Sequence, residues 1–339
     1  MNEGSPLRTL SSSFKFLWKT HSIVARGWSR LVYSCKAVSR QVVFVLPRVM
    51  NLIFTIVWDP PREIFSFNIP LLNRPILWYG FFFALGFFLG FWALRYLLGK
   101  REDLSFSPKE AAERITLAVL IGGVAGARIG DLIFYQHFTS FLKDPLSLFK
   151  IWEGGLASHG GGAGILVALF LLAFGSQRRR LRLSFLSLLD LVVIPAALAG
   201  ALIRVGNLFN QEILGTPTAL PWGFLFLHPA DGSLPLVRHP VQLYESLYYL
   251  ALFFTLLLLW RFRPSFRKEG RSSALFLILL FGFRFLIEFV KEEQSIYLLP
   301  FRASLTMGQL LSLPFILLGM GIYPNNFKNW FKAWPKPRG

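Results

Sequence analysis

IRVGNLFNQEILG, residues 203–215, closes the apolar run 184–206 with Arg204 and then presents Asn207, Asn210 and Glu212 as the run ends. Two earlier stretches break apolar sequence in the same way. ARIGDLIFY at 127–135 carries Arg128 and Asp131, and SHGGGAGIL at 158–166 carries His159. An ionisable side chain at membrane depth costs roughly 2.5–3.5 kcal/mol on insertion scales, so its presence normally reflects function rather than packing. Three such interruptions between residues 127 and 215 point to a membrane enzyme or a transporter.

The surrounding composition agrees. The chain has 339 residues, 54% hydrophobic and only 16% charged, with 36 Phe and 10 Trp. A soluble domain carries about a quarter charged residues. Seven segments, approximately 77–98, 114–136, 157–176, 184–206, 242–262, 273–291 and 305–322, are apolar and near the ~20 residues needed to span a bilayer. An all-α, polytopic integral membrane bundle of about seven transmembrane helices is therefore expected. The formal net charge of +18 does not point to nucleic acid, because the positives sit in short runs between apolar segments. A single cysteine, Cys35, excludes an internal disulfide and any multi-cysteine metal site.

Loop charges predict the orientation. Arg95, Lys100, Arg101 and Lys109, then Arg178, Arg179, Arg180 and Arg182, then Arg261, Arg263, Arg267, Lys268 and Arg271, and finally Lys328, Lys332, Lys336 and Arg338 fall on one side. The positive-inside rule makes that side cytoplasmic, with the carboxyl terminus. Residues 207–241, with Pro217, Pro221, Gly223, Pro229, Gly232 and Pro235, read as a folded extracytoplasmic head and not as a linker. The first 55 residues form a basic extension with no signal peptide. Two readings of it stand: an extra marginal span at 41–58, interrupted by Arg48, or a true start at Met50. The catalytic domain is expected at 56–325, followed by a basic tail at 326–339.

His159 begins the third span ahead of Gly160, Gly161, Gly162 and Gly164. Glycines in a membrane helix let a neighbour approach closely. An imidazole there suits proton transfer near neutral pH, although a lone histidine is more often a structural hydrogen-bonding residue. Arg128 and Asp131 lie three apart on one helix face, and Arg284 and Glu288 lie four apart, so each pair can neutralise itself. Arg204 has no acid one turn before it, which suits a guanidinium awaiting an anionic ligand; its forked donors match phosphate. Tyr79 enters the first span, and Arg238, His239, Gln242, Tyr244 and Glu245 open the fifth. An interfacial aromatic belt explains these aromatics equally well.

In their order and spacing, WDPPREIFSF (58–67), LWYG (77–80), GARIGDLIFY (126–135), WEGGLASHGGGAG (152–164), RVGNLFNQEILG (204–215), RHPVQLYE (238–245), FRFLIEF (283–289) and TMGQLLSLP (306–314) resemble the bacterial phosphatidylglycerol–prolipoprotein diacylglyceryl transferases. The resemblance implies transfer of the diacylglyceryl group of phosphatidylglycerol to the lipobox cysteine of a preprolipoprotein, with release of glycerol-1-phosphate. It implies a bacterial cytoplasmic (inner) membrane location, with membrane lipid and preprolipoproteins as partners, and no nucleic acid, cofactor or metal. No oligomer is predicted. The family's signature falls on Arg204, Gly206, Asn207, Asn210, Glu212 and Gly215, its histidine on His159, its two important arginines on Arg204 and Arg284, and its first-helix tyrosine on Tyr79. Arg128, Asp190, Glu245 and Glu288 join them as residues toward which substrate binding is expected or which match the pattern. The chain departs from the pattern at Gln211, where glycine is usual, at Ser158, where an aromatic is common, and at Leu280, where many members carry tyrosine.

A thiol with an ordinary pKa near 8.5 is only a few per cent thiolate at neutral pH, so deprotonation is a natural task for His159. An alternative keeps the arginines dominant and makes His159 an orienting residue. A secondary transporter of an anionic solute also places Arg, Asn and Gly in the membrane, but it predicts repeat symmetry between halves that the sequence lacks.

Overall fold

The computed structural model describes residues 55–65, 75–101, 104, 106–134, 157–175, 181–292 and 305–323. The basic extension as far as residue 54, the segment 152–156, the basic loop 178–180 and the tail 326–339 lie outside the described residues. Among the described residues there are seven helices: α1 (Trp78–Leu98), α2 (Pro108–Phe134), α3 (Ser158–Phe174), α4 (Phe185–Asn210), α5 (Val241–Phe262), α6 (Arg271–Ile287) and α7 (Met307–Ile322). Five of them are long and apolar enough to cross a membrane; α3 and α7 are apolar but shorter, at 17 and 16 residues. Large apolar side chains including Phe88, Trp92, Ile121, Val167, Leu171, Leu258 and Leu317 are exposed on the outside of the bundle. Such a surface suits lipid, not water. The chain is an all-α, polytopic integral membrane protein.

Successive contacts show how the bundle closes. Gly86 and Gly90 of α1 meet Ala199 and Pro195 of α4, and Gly206 of α4 meets Tyr79 of α1, so these helices run antiparallel. Helices α2 and α3 are joined by facing glycines. A Cβ on Gly130 would lie 2.7 Å from the Gly160 Cα, and one on Gly164 would lie 2.8 Å from the Gly126 Cα. The backbones therefore touch, as small residues allow in membrane helices. The glycine run beside His159 is a packing device. Helix α6 meets α7 through stacked rings of Phe281 and Phe315, 4.3 Å apart.

Two end structures complete the fold. At the basic end, Gly270 precedes α6 in a left-handed conformation and offers no side-chain cap. Asp190 of α4 supplies the cap from across the interface, accepting from Gly270 N at 2.6 Å, Ser273 N at 2.7 Å and Ser273 Oγ at 2.7 Å. Hydrogen bonds to a buried charged acceptor are worth about 1.5–3 kcal/mol each, so Asp190→Ala is expected to destabilise the protein by about 2–4 kcal/mol. Thermal unfolding in detergent checks this; an unchanged transition removes the cap from the account. At the other end, β1 (Ile56–Trp58) pairs in parallel with β4 (Phe224–Phe226), which pairs antiparallel with β5 (Val237–Arg238), while β2 (Glu63–Phe65) pairs with β3 (Ile76–Leu77). The last residues of the segment 41–58 thus belong to a strand. Trp58 anchors it by donating from Nε1 to Leu208 O at 2.9 Å and packing on Phe209 and Phe224. The stretch 207–241 is a folded head.

Candidate active site

The alternating direction of the helices gathers the polar groups at the head end. Tyr79 opens α1, Arg128 and Asp131 close α2, His159 opens α3, Arg204 and Asn207 close α4, Glu245 opens α5, and Arg284 closes α6. The basic end holds Asp190 instead, so that match to the family pattern belongs to helix capping.

Arg204 is the hub. Its Nε lies 2.9 Å from Glu245 Oε2, and Nη1 donates to Asn207 Oδ1 at 3.0 Å. Asn207 Nδ2 donates in turn to Glu212 Oε1 at 2.6 Å, and Asn210 Nδ2 reaches the same oxygen at 3.3 Å. Arg204 therefore does have an acidic partner. It comes from a different helix, where a search of neighbouring turns does not look. Tyr79 packs against Gly206, where a Cβ would lie 3.0 Å from the tyrosine ring, and sits within electrostatic range of Glu212 and Arg204. The Tyr249 hydroxyl faces Arg204 and lies in range of Glu245 and Arg284.

Glu212 is held out by unusual backbone. Gln211 and Ile213 on either side have φ of 53° and 60°, a left-handed conformation that costs an L-residue roughly 1–2 kcal/mol. That is the physical reason a glycine suits position 211. Here Gln211 offsets the cost with its side chain: Oε1 accepts from His228 N at 2.8 Å, and the backbone oxygen accepts from Ala230 N. Gln242 Nε2 donates to Glu212 O at 2.7 Å. Gly215 admits the His239 backbone, which any side chain there would strike. The other departures are quieter: Ser158 is exposed at the start of α3, and Leu280 packs against the apolar core.

Arg284 and Glu288 do not pair. Helix α6 ends at Ile287, and Glu288 begins a 3₁₀ turn, so the four-residue spacing no longer sets a common face. Glu288 lies instead 3.7 Å from Lys291 Nζ and accepts from Thr306 Oγ1 at 3.2 Å. Among the described residues Arg284 makes no hydrogen bond or ion pair, although it and Arg204 both lie within electrostatic range of Tyr249 and Lys291. Lys291 belongs to this group although its sequence position gives no sign of it. Its side chain is only 7% exposed, with Glu245 and Glu288 each 3.7 Å from its ammonium.

Arg128 and Asp131 neutralise each other at 3.8 Å and are buried. His159 stands exposed in the first turn of α3, whose start is fixed to α2 by Ala157 N donating to Ala127 O at 3.0 Å. Among the described residues no hydrogen bond or ion pair joins His159 to the Arg204 group.

This arrangement, a bundle end with two guanidiniums in electrostatic range of the same Tyr249, one of which has no carboxylate partner among the described residues, suits an anionic headgroup. Comparison with known sequences identifies the family. The profile of the family described as Prolipoprotein diacylglyceryl transferase matches residues 66–324. The chain belongs to this family. It is similar to the phosphatidylglycerol–prolipoprotein diacylglyceryl transferase of Protochlamydia amoebophila, with 34% identity covering 81% of this chain and 96% of that protein. The corresponding enzyme of Porphyromonas gingivalis is 38% identical over 83% of this chain and 98% of its own length, and that of Tolumonas auensis 40% over 72% and 88%. The protein is thus a transferase of lipoprotein modification, and the transporter reading is set aside.

Proposed function

We propose that the head end of this prolipoprotein diacylglyceryl transferase binds phosphatidylglycerol by its phosphate and presents it to the thiol of a preprolipoprotein lipobox cysteine. The protein lies in the bacterial cytoplasmic membrane with the head outside and the carboxyl terminus in the cytoplasm, in line with the basic loops of the opposite end. The thiolate attacks the glyceryl carbon that carries the phosphate ester. A carbon–sulfur bond forms, the carbon–oxygen bond breaks, and glycerol-1-phosphate leaves with both bonding electrons on oxygen. Phosphorus is untouched.

Charge grows on the departing phosphate, so donors fixed before the reaction do the most for the barrier. Arg204 is fixed by Glu245 and Asn207 and retains N–H groups for a ligand. Arg284, Asn207 and Asn210 add donors, while Tyr79, Glu212 and Glu245 orient the headgroup or the guanidiniums. Glu288, Gly215 and Arg128 shape the walls around them. His159 takes the thiol proton and passes it to the released phosphate or to water. The formal charge of the inner group is balanced by Arg204, Arg284 and Lys291 against Glu212, Glu245 and Glu288. What favours an anion is therefore placement, and the observation that carries the proposal is Arg284 in electrostatic range of the same Tyr249 as Arg204, with no carboxylate partner of its own among the described residues.

The test is thioether formation on a lipobox peptide in vesicles. The purified protein is expected to consume phosphatidylglycerol, release glycerol-1-phosphate, and leave phosphatidylethanolamine vesicles unused. Mass spectrometry of the peptide checks it; lipidation at equal rates from both lipids, or none from either, overturns the assignment.

A further inference from the structure

Lys291 is not used in the mechanism above, yet the protein commits much structure to it. The residue leaves the 3₁₀ turn at Glu288–Val290 and enters a short backbone pairing with the head. Thr216 N donates to Val290 O at 2.9 Å and Glu292 N donates to Leu214 O at 3.0 Å, so the backbone is clamped on both sides of Lys291. Arg238 of β5 reinforces the clamp through an ion pair with Glu292. The ammonium ends between two acids, 3.7 Å from Glu245 Oε1 and 3.7 Å from Glu288 Oε1. Glu245 is completely buried, and its oxygens accept no aligned hydrogen bond among the described residues. Its compensation comes from charge alone, with Arg204 on one oxygen and Lys291 on the other.

A buried carboxylate that loses its counter-ion takes another or becomes neutral. Glu245 already holds Arg204, so the cation left for Glu288 is Arg284, which lies within electrostatic range of the same ammonium. Glu288 and Arg284 both lie in range of Lys291, and among the described residues Arg284 has no carboxylate partner. We infer that Lys291 is a positioning residue, whose ammonium, shared between Glu245 and Glu288, keeps Glu288 from capturing Arg284, the second guanidinium that receives the lipid phosphate. This rests on the phosphate site proposed above. Lys291 acts on substrate through Arg284 and is not itself a catalytic residue.

The experiment compares the full-length protein with Lys291→Gln, Lys291→Met and Lys291→Arg in phosphatidylglycerol vesicles with a lipobox peptide, with thermal unfolding followed in parallel. A ligand that must first break a new ion pair loses about tenfold in affinity for each 1.4 kcal/mol. Lys291→Gln is expected to raise KM for the lipid roughly tenfold while kcat changes less than about threefold. Lys291→Met is expected to match Lys291→Gln, and Lys291→Arg to restore KM to within about threefold. A Lys291→Gln enzyme with the normal KM overturns the inference. So does a loss of kcat and stability at unchanged KM, the mark of a merely structural residue. Should Lys291→Gln fail to fold, Lys291→Met decides: a normal KM overturns the inference, and a tenfold rise at little-changed kcat supports it. Failure of the unaltered protein to form thioether at all counts against the phosphate site and is read separately from these comparisons.

Discussion

Arg204→Gln is expected to lower kcat/KM for thioether formation by about 10³-fold. Two effects combine. Removing one preorganised donor to a developing oxyanion typically costs about 10²–10³ in rate. The substitution also strips Glu245 of the guanidinium 2.9 Å away, leaving a fully buried carboxylate with Lys291 alone. Arg204→Lys separates the two. A lysine ammonium returns the charge but presents a single point, so it cannot face Glu245, Asn207 and a phosphate together as the planar fork does. Its activity is expected to fall about 10²-fold with stability near that of the unaltered protein. Steady-state kinetics on phosphatidylglycerol vesicles, with thermal unfolding as the control, measure both. If Arg204→Gln keeps its activity within tenfold while remaining folded, the phosphate does not rest on this guanidinium.

The features legible in the sequence and those that were not separate along a physical line. Apolar runs of membrane length report on a bilayer locally, and all seven fall on helices among the described residues. The signature at 204–215 is local too, because Arg204, Asn207 and Glu212 lie within one or two turns and one short exit from a helix. Contacts between distant segments leave no such mark. Nothing in the spacing pairs Ile56–Trp58 with Phe224–Phe226, or aims Glu245 at Arg204. Helical periodicity misled where the helix stopped: Arg284 and Glu288 share a face only while α6 continues, and it ends at Ile287. Lys291 was hidden for a different reason. A lysine in a loop is ordinarily solvated, and only the pairing of 290–292 with 214–216 turns it inward. Asp190 shows the reverse case. A carboxylate within an apolar helix suggests chemistry, yet this one accepts the amides at the start of α6, far from the head.

His159→Gln is expected to reduce kcat by about 10²–10⁴-fold, the usual contribution of a general base, and to move the optimum of activity to higher pH. Without a base, turnover depends on the fraction of thiol already ionised, which rises tenfold per pH unit until the thiol's ordinary pKa near 8.5 is passed. The kcat of the variant should therefore climb with unit slope through neutral pH, where the unaltered enzyme is flatter. The location of His159 makes this a real contest between two roles. It sits exposed in the first turn of α3, at the same end as Arg204, while its own helix is held to α2 by touching glycines. That position leaves the ring reachable by a peptide thiol, but the described hydrogen bonds and ion pairs do not make it part of the Arg204 group. An orienting histidine would lose binding and little of the pH dependence, because glutamine keeps a donor and an acceptor in nearly the same place. Near-normal turnover with an unchanged pH profile thus removes the base and leaves the two guanidiniums as the principal catalysts. A steep alkaline climb with lipid KM unchanged assigns the proton to His159.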